Sequence, residues 1–257
     1  MTVRFTILGC GYSMGVPRID GNFGKCDPEN NKNYRTRCSA LISFCKLNIL
    51  IDTSPDIRFQ LINNKIKSID KIFYTHYHAD QTHGINDLRV FRLKNKKKLP
   101  VYADQKTKKY LLNNFKYCFK NVSDYPPILK INNLKKIHKF KINNKVIELK
   151  SIHVQHGNID CISYIINKKC AYASDVSKIY KKDIINFMNL NYFIVDCLRY
   201  DPHYSHYNLK NVLELINLIK PKKTILTNLN NEMDYKTLKM NLPKSVVPAF
   251  DGMSFLI

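Results

Sequence analysis

Acidic residues are scarce in this chain: 20 Asp and Glu face 42 Lys and Arg, a formal charge of +22 over 257 residues. Such an excess points to an anionic partner such as phosphate, nucleic acid or lipid head groups. Lys, Asn and Ile nevertheless crowd every region, as a general compositional bias would produce. Runs such as Lys94 to Lys98 and Lys106 to Lys109 therefore read as solvated faces ahead of a dedicated nucleic-acid surface. No stretch approaches the roughly eighteen apolar residues of a membrane span, and Met1 to Gly15 lacks a signal peptide's apolar core. A cytoplasmic location with no membrane partner is the expectation. The eight cysteines never fall in CxxC spacing, and several lie in apolar runs, which favours reduced core thiols over disulfides. Also missing are a Walker Lys-Ser/Thr after Gly9-Cys-Gly-Tyr-Ser-Met-Gly15, the stacking motifs of RNA-binding modules, and any strong internal repeat.

What is present centres on Lys71-Ile-Phe-Tyr-Thr-His-Tyr-His-Ala-Asp-Gln-Thr-His-Gly84. Ile72, Phe73 and Tyr74 form an apolar, β-prone run that leads directly into His76, His78 and Asp80. Residues two apart on an extended backbone point to the same side. His76 and His78 can therefore meet one cation while Asp80, past the bend, reaches a neighbouring one. Neutral imidazoles suit zinc-like ions, and a carboxylate adds charge or orients water.

Other strand ends offer further ligands. Val146 to Val154 reads as a strand running into Gln155-His156-Gly157, which makes His156 the third metal ligand; His153 upstream reads as a buried, hydrogen-bonded or surface histidine. Lys169 to Asp175 is a short strand closed by an acid that can bridge two cations. Asp196, closing Tyr192 to Asp196, needs a metal, an arginine or capping donors. Asp52, after the hairpin of Ser39 to Phe44 and Leu47 to Asp52, can hydrogen-bond the far nitrogen of a metal-bound histidine or cap the next helix, a job that suits Asp56 equally. Arg89 is a candidate phosphate contact or an ordinary ion-pair partner.

Helices are expected over Ile57 to Ile66, Ile85 to Leu93, Thr107 to Phe119, Tyr235 to Met240 and Ser205 to Ile219. The last has the clearest apolar stripe, with Ser205 as its cap and His206 at an N-terminus that favours anions. A histidine there can contact phosphate and donate a proton to a leaving oxygen. Asn121 to Lys145 reads as a loose lysine-rich connection, Pro17 to Arg37 as an irregular excursion, and Val246 to Ile257 as a strand-like tail. Strands and helices alternate as two α/β halves, and a single domain over 1–257 is the default at this length.

Asp52, His76-x-His78-x-Asp80, His156, Asp175 and the strand ending at Asn228 follow one another in the order of the metallo-β-lactamase superfamily. Within it the chain most resembles the phosphonate-pathway cyclic-phosphate phosphodiesterases, through Gly15-Val-Pro17, Arg37-Cys-Ser-Ala-Leu41, Leu88-Arg89, Val195-Asp-Cys197, Ser205-His206 and Phe250-Asp-Gly252. The resemblance implies an α/β, four-layer αββα sandwich with metal ions between two sheets. It implies that His76, His78 and His156 hold one ion, Asp175 bridges, and Asp80 helps hold the second. It implies His206 near the substrate phosphate and metal-assisted hydrolysis of a small phosphorylated substrate such as a phosphoribosyl cyclic phosphate, with Asp80 and His206 as the catalytic pair.

Gln81 and Asn228 stand where that family has its second-metal histidines. Amide oxygens suit manganese or magnesium better than zinc, so the expectation is one firm zinc or manganese site and a weaker, oxygen-rich one. His83 is a substitute ligand only if it turns inward. The Cys26 and Cys38 region lacks the dense cysteines of the family branch's structural zinc, and none is expected there. The rival readings are a nuclease resembling the tRNA 3′-processing branch, for which RNA is the partner but no long gripping arm is seen, and a non-catalytic metal or nucleotide-binding relative. The resemblance leaves room for a homodimer.

Overall fold

The computed structural model describes residues 2–122 and 124–257. The first half of the chain builds one mixed sheet from β1 (Val3–Gly9), β2 (Ser39–Phe44), β3 (Leu47–Ile51), β4 (Lys71–Phe73), β5 (Leu99–Ala103) and β6 (Leu129–Asn133). The second half builds another from β7 (Ile137–Ile142), β8 (Lys145–His156), β9 (Ile159–Ile166), β10 (Cys170–Ala173), β11 (Tyr192–Asp196), β12 (Lys223–Thr227) and β13 (Val246–Pro248), and β14 (Ser254–Leu256) returns to pair with β1. The helices between them are α1 (Ile57–Asn63), α2 (Ala79–Thr82), α3 (Arg89–Asn95), α4 (Gln105–Asn114), α5 (Lys116–Phe119), α6 (Leu209–Ile219) and α7 (Tyr235–Asn241).

Each sheet begins antiparallel and ends parallel. In the first, β14, β1, β2 and β3 pair antiparallel before β3, β4, β5 and β6 run together; in the second, β7 to β10 are antiparallel and β10 to β13 parallel. Parallel strands place their carboxyl ends at one edge, where ligand sites of α/β folds gather. Three apolar clusters define four layers. Phe5, Phe73, Tyr164 and Tyr172 pack between the sheets; Val212, Ile219, Phe187 and Phe193 lie under α6; and Ile57, Leu61, Phe91 and Leu111 lie under α1, α3 and α4. The expected αββα sandwich of the metallo-β-lactamase fold is thus the architecture.

Several local expectations need correction. The lysine-rich segment from Asn121 to Lys145 contains β6 and β7, because Lys139 and Lys141 alternate with the inward His138, Phe140 and Ile142. The tail from Val246 splits into β13 and β14, which belong to different sheets. Helix α6 begins at Leu209, with Asn208 rather than Ser205 accepting the capping bond from Asn211 N. Asp56 precedes α1 without capping it, since both its oxygens grip Arg37. The excursion from Pro17 to Arg37 is anchored by Arg35, a fully buried guanidinium donating to the carbonyls of Asn230 and Met233. All eight cysteines are free, and all but Cys45 are buried. No helix among the described residues is long and apolar enough to cross a membrane.

Candidate metal centre

Strand β4 delivers the first histidines, and the second sheet holds them in place. Tyr164 Oη on β9 donates to Tyr74 O at 2.5 Å, and Ile162 N donates to Thr75 O at 2.9 Å. The segment that carries His76 is therefore clamped across both sheets before the chain turns into α2, with His78 just ahead of its first turn. Gly84 closes the motif because a side chain there would lie 2.0 Å from Ser54 O.

His76, His78 and His156 each present a ring nitrogen, and these atoms lie within 4.8 Å of one another. His76 Nε2 faces His78 Nδ1 at 2.9 Å. His156 Nδ1 donates to Ser205 O at 2.7 Å, a bond that leaves its Nε2 without a proton. Gly157 makes this contact feasible: it sits at φ +57°, and an added Cβ would come within 2.8 Å of Ser205 Cβ. Burial keeps all three imidazoles neutral, lowering His78 and His156 and pushing His76 down to about 3.

A second cluster abuts the first, in which His156, Asp175 and His206 also present ligand atoms within 4.8 Å of one another. Burial alone would raise Asp175, but the charge on the rings around it, of which His206 is the one held protonated, brings its carboxyl below the usual range. Gln81 Nε2 donates to Asp175 Oδ2 at 3.0 Å and to Asp80 Oδ2 at 3.2 Å, while Asn228 Nδ2 donates to Asp175 Oδ1 at 3.2 Å. Gln81 Oε1 is buried without a partner. Burial and the charge on Asp175 push Asp80 up to about 7. His206 Nδ1 lies 2.6 Å from Asp196 Oδ2. Burial opposes a charge on that ring, yet Asp196 and then Asp175 raise it to about 9.

These residues open into a cleft of about 440 Å³ lined by His78, Asp80, His156, Asp175, His206 and Asn228. Other candidates lie elsewhere or act differently. Arg89 does not line this cleft; its guanidinium lies over the Tyr125 ring, 4.3 Å from the centroid. Asp52 does not touch a histidine. It accepts from Thr75 N and Thr75 Oγ1, and that hydroxyl in turn meets His76 Nδ1 at 3.0 Å, so Asp52 acts through Thr75. His83 turns to Tyr110 Oη, and His153 is exposed. His206 precedes α6 instead of opening it. Sequence reasoning missed Arg18, Arg199 and His203, which line the cleft from irregular loops that leave no periodic signal.

Residues 47–227 match the family model described as the beta-lactamase superfamily domain. A crystal structure described as a new diphosphatase from the PhnP family superposes with a TM-score of 0.90 at 29% identity, covering 100% of this chain and 98% of that one. The short form of human tRNase Z shares the fold at a TM-score of 0.68 and 16% identity, with 98% of each chain covered. Among curated proteins, an octanoyltransferase of Porphyromonas gingivalis is 28% identical over 260 residues, 99% of this chain and 52% of that protein. The chain thus spans about half the length of this curated relative, whose name describes the longer protein. A clamped histidine pair at one sheet edge, a third histidine and an acid from the facing sheet, and the family match over most of the length lead to one conclusion: the chain belongs to the β-lactamase superfamily, with the metallo-β-lactamase fold and a PhnP-like architecture.

Proposed function

We propose that this protein is a metal-dependent hydrolase that cleaves a phosphodiester, most specifically a small cyclic phosphate such as a phosphoribosyl cyclic phosphate. The observation that carries the reading is the convergence of His76, His78 and His156 with Asp175 beside them. The donor set fits a divalent cation: three imidazoles are neutral, and the bond from His156 Nδ1 to Ser205 O aims the bare nitrogen inward. A cation held by these residues supplies Lewis acidity, making a water nucleophilic at neutral pH and neutralising charge that builds on the phosphoryl oxygens.

The protein's own groups do the rest. His76, His78 and His156 form the firm site, for zinc or manganese. Asp175, Asp80, Gln81 and Asn228 form the weaker, oxygen-rich one. The partnerless Gln81 Oε1 supports that role, since a half-turn of the amide would present this oxygen to Asp80 and Asp175 in place of N–H. His206, held protonated by Asp196, is the proton donor to the leaving oxygen and a contact for the phosphate. Asp52 orients His76 through Thr75. A cleft of about 440 Å³ suits a small phosphate ester better than a folded RNA.

The test is turnover of a cyclic ribose phosphate and of bis(p-nitrophenyl) phosphate after reconstitution with manganese, zinc or magnesium. Turnover that disappears in His78→Ala supports the reading. Metal-loaded protein that turns over neither compound with any of the three ions overturns it.

A further inference from the structure

The cleft does not end at the histidines. Three of its wall residues, Ser13, Met14 and Arg18, also line a larger groove of about 960 Å³ on their other side. Apolar side chains stand open there for no reason of packing: Met14 is 57% exposed, Tyr34 48%, and Ile19 wholly exposed. The turn carrying Ile19 is well knit, with Arg18 N donating to Asn22 O and Gly21 N to Arg18 O. Its exposure is therefore built in. Tyr34 is braced edge-on by Phe23, with ring centroids 5.0 Å apart. Arg18, at the junction of the two spaces, pairs among the described residues with Asp20 alone, two residues away, through Nη2 to Oδ2 at 2.6 Å. Both partners face solvent, where such pairs contribute little and a phosphate can replace the carboxylate on the same fork.

We infer that this groove receives the nucleoside part of a nucleotide whose reacting phosphate sits at the histidine cluster, with Arg18 gripping the neighbouring phosphate at the junction. The inference rests on the metal-dependent hydrolytic reading above and extends its substrate class from phosphodiesters to nucleoside phosphates of about diphosphate length, whose reacting bond is a phosphoanhydride. A planar base lies against Tyr34, and Ile19 and Met14 cover its edges. Stacking of this kind tolerates any base, since every base has a π-face. The groove's volume falls within the range of small-molecule sites, which favours a single nucleotide over a polynucleotide strand.

Calorimetric binding of ADP and of pyrophosphate to the intact protein tests this directly. Wild type binds ADP about tenfold or more tighter than pyrophosphate, the scale of one base–aromatic stack. Tyr34→Ala removes that preference and Tyr34→Phe keeps it, while Arg18→Ala weakens both probes. Equal affinity for ADP and pyrophosphate, or a preference untouched by Tyr34→Ala, overturns the inference, as does a tRNA that binds tighter than ADP with no loss in Tyr34→Ala. The same samples are assayed on bis(p-nitrophenyl) phosphate. Turnover without an ADP preference sinks only the groove, and an ADP preference without turnover sinks only the hydrolytic reading.

Discussion

Asp196 Oδ2 lies 2.6 Å from His206 Nδ1, and this buried carboxylate does most to hold the ring largely protonated. The ring's raised value of about 9 depends on that carboxylate once burial has been overcome. Asp196→Asn keeps a hydrogen-bond acceptor and removes the charge, so His206 falls back toward the ordinary imidazole range. At pH 6 the ring is still substantially protonated in the variant, and at pH 8 it is not. The expected result is a small loss of kcat/KM at pH 6 and a loss of about a hundredfold at pH 8. An equal loss at both pH values would assign Asp196 a purely structural role.

Gly157 lets Ser205 O reach His156 Nδ1. Gly157→Ala asks an L-residue to hold φ +57° and drives its Cβ into Ser205, so the carbonyl retreats and the imidazole loses its orientation. Disturbing such a support typically weakens metal binding by about 10- to 100-fold. Competition with a chromogenic chelator measures it. Unchanged zinc affinity in a folded Gly157→Ala protein would show that the contact does not orient His156.

The amides of Gln81 and Asn228 now donate N–H bonds to Asp175. Replacing both with imidazoles, in the double variant Gln81→His with Asn228→His, exchanges those donors for lone pairs directed at the same space. Elemental analysis after zinc loading and dialysis should give one retained ion in wild type and two in the variant. Two retained zinc ions in wild type would contradict the oxygen-rich character assigned to the second site.

Asp251 accepts from Cys10 N, Thr36 N and Thr36 Oγ1 and ties the end of β1 to the C-terminal turn. Burial pushes its carboxyl up to about 6, against the pull of those hydrogen bonds. A folded value above the unfolded one means that the native state binds the proton more tightly. This contribution to stability is therefore full below pH of about 4 and lost as pH rises through about 6. Between pH 8 and pH 5, wild type should gain on the order of 1 kcal/mol relative to Asp251→Asn, read from urea unfolding at both pH values. A constant difference between the two proteins would contradict the raised value.

The sequence made the ligand-bearing strand ends plain because each couples an apolar β run to a polar residue at its exit. This holds for His76 and His78 after β4, Asp175 after β10, and Asp196 closing β11. Less visible was anything decided by distant packing. His138, Phe140 and Ile142 do alternate, but interleaved lysines masked β7. Ser205 and Asn208 are both capping residue types, and the choice fell to Asn208 because Tyr207 N bonds Val176 O and His206 bonds Asp196, which holds the preceding residues off the helix. Arg89 and Arg18 are chemically alike in the sequence, yet the fold turns Arg89 onto Tyr125 and brings Arg18 to the cleft. The direction of Gln81, toward Asp175 through its nitrogen, likewise follows from a sheet 94 residues away.

The central claim is that residues remote in sequence share one cation. Anomalous diffraction at the zinc or manganese edge, from crystals of the metal-loaded protein, tests it most directly. The account predicts a peak within about 2.0–2.3 Å of one nitrogen each of His76, His78 and His156. A metal-loaded crystal with no peak there, with His76 Nε2 and His78 Nδ1 still bonded to each other, would contradict it.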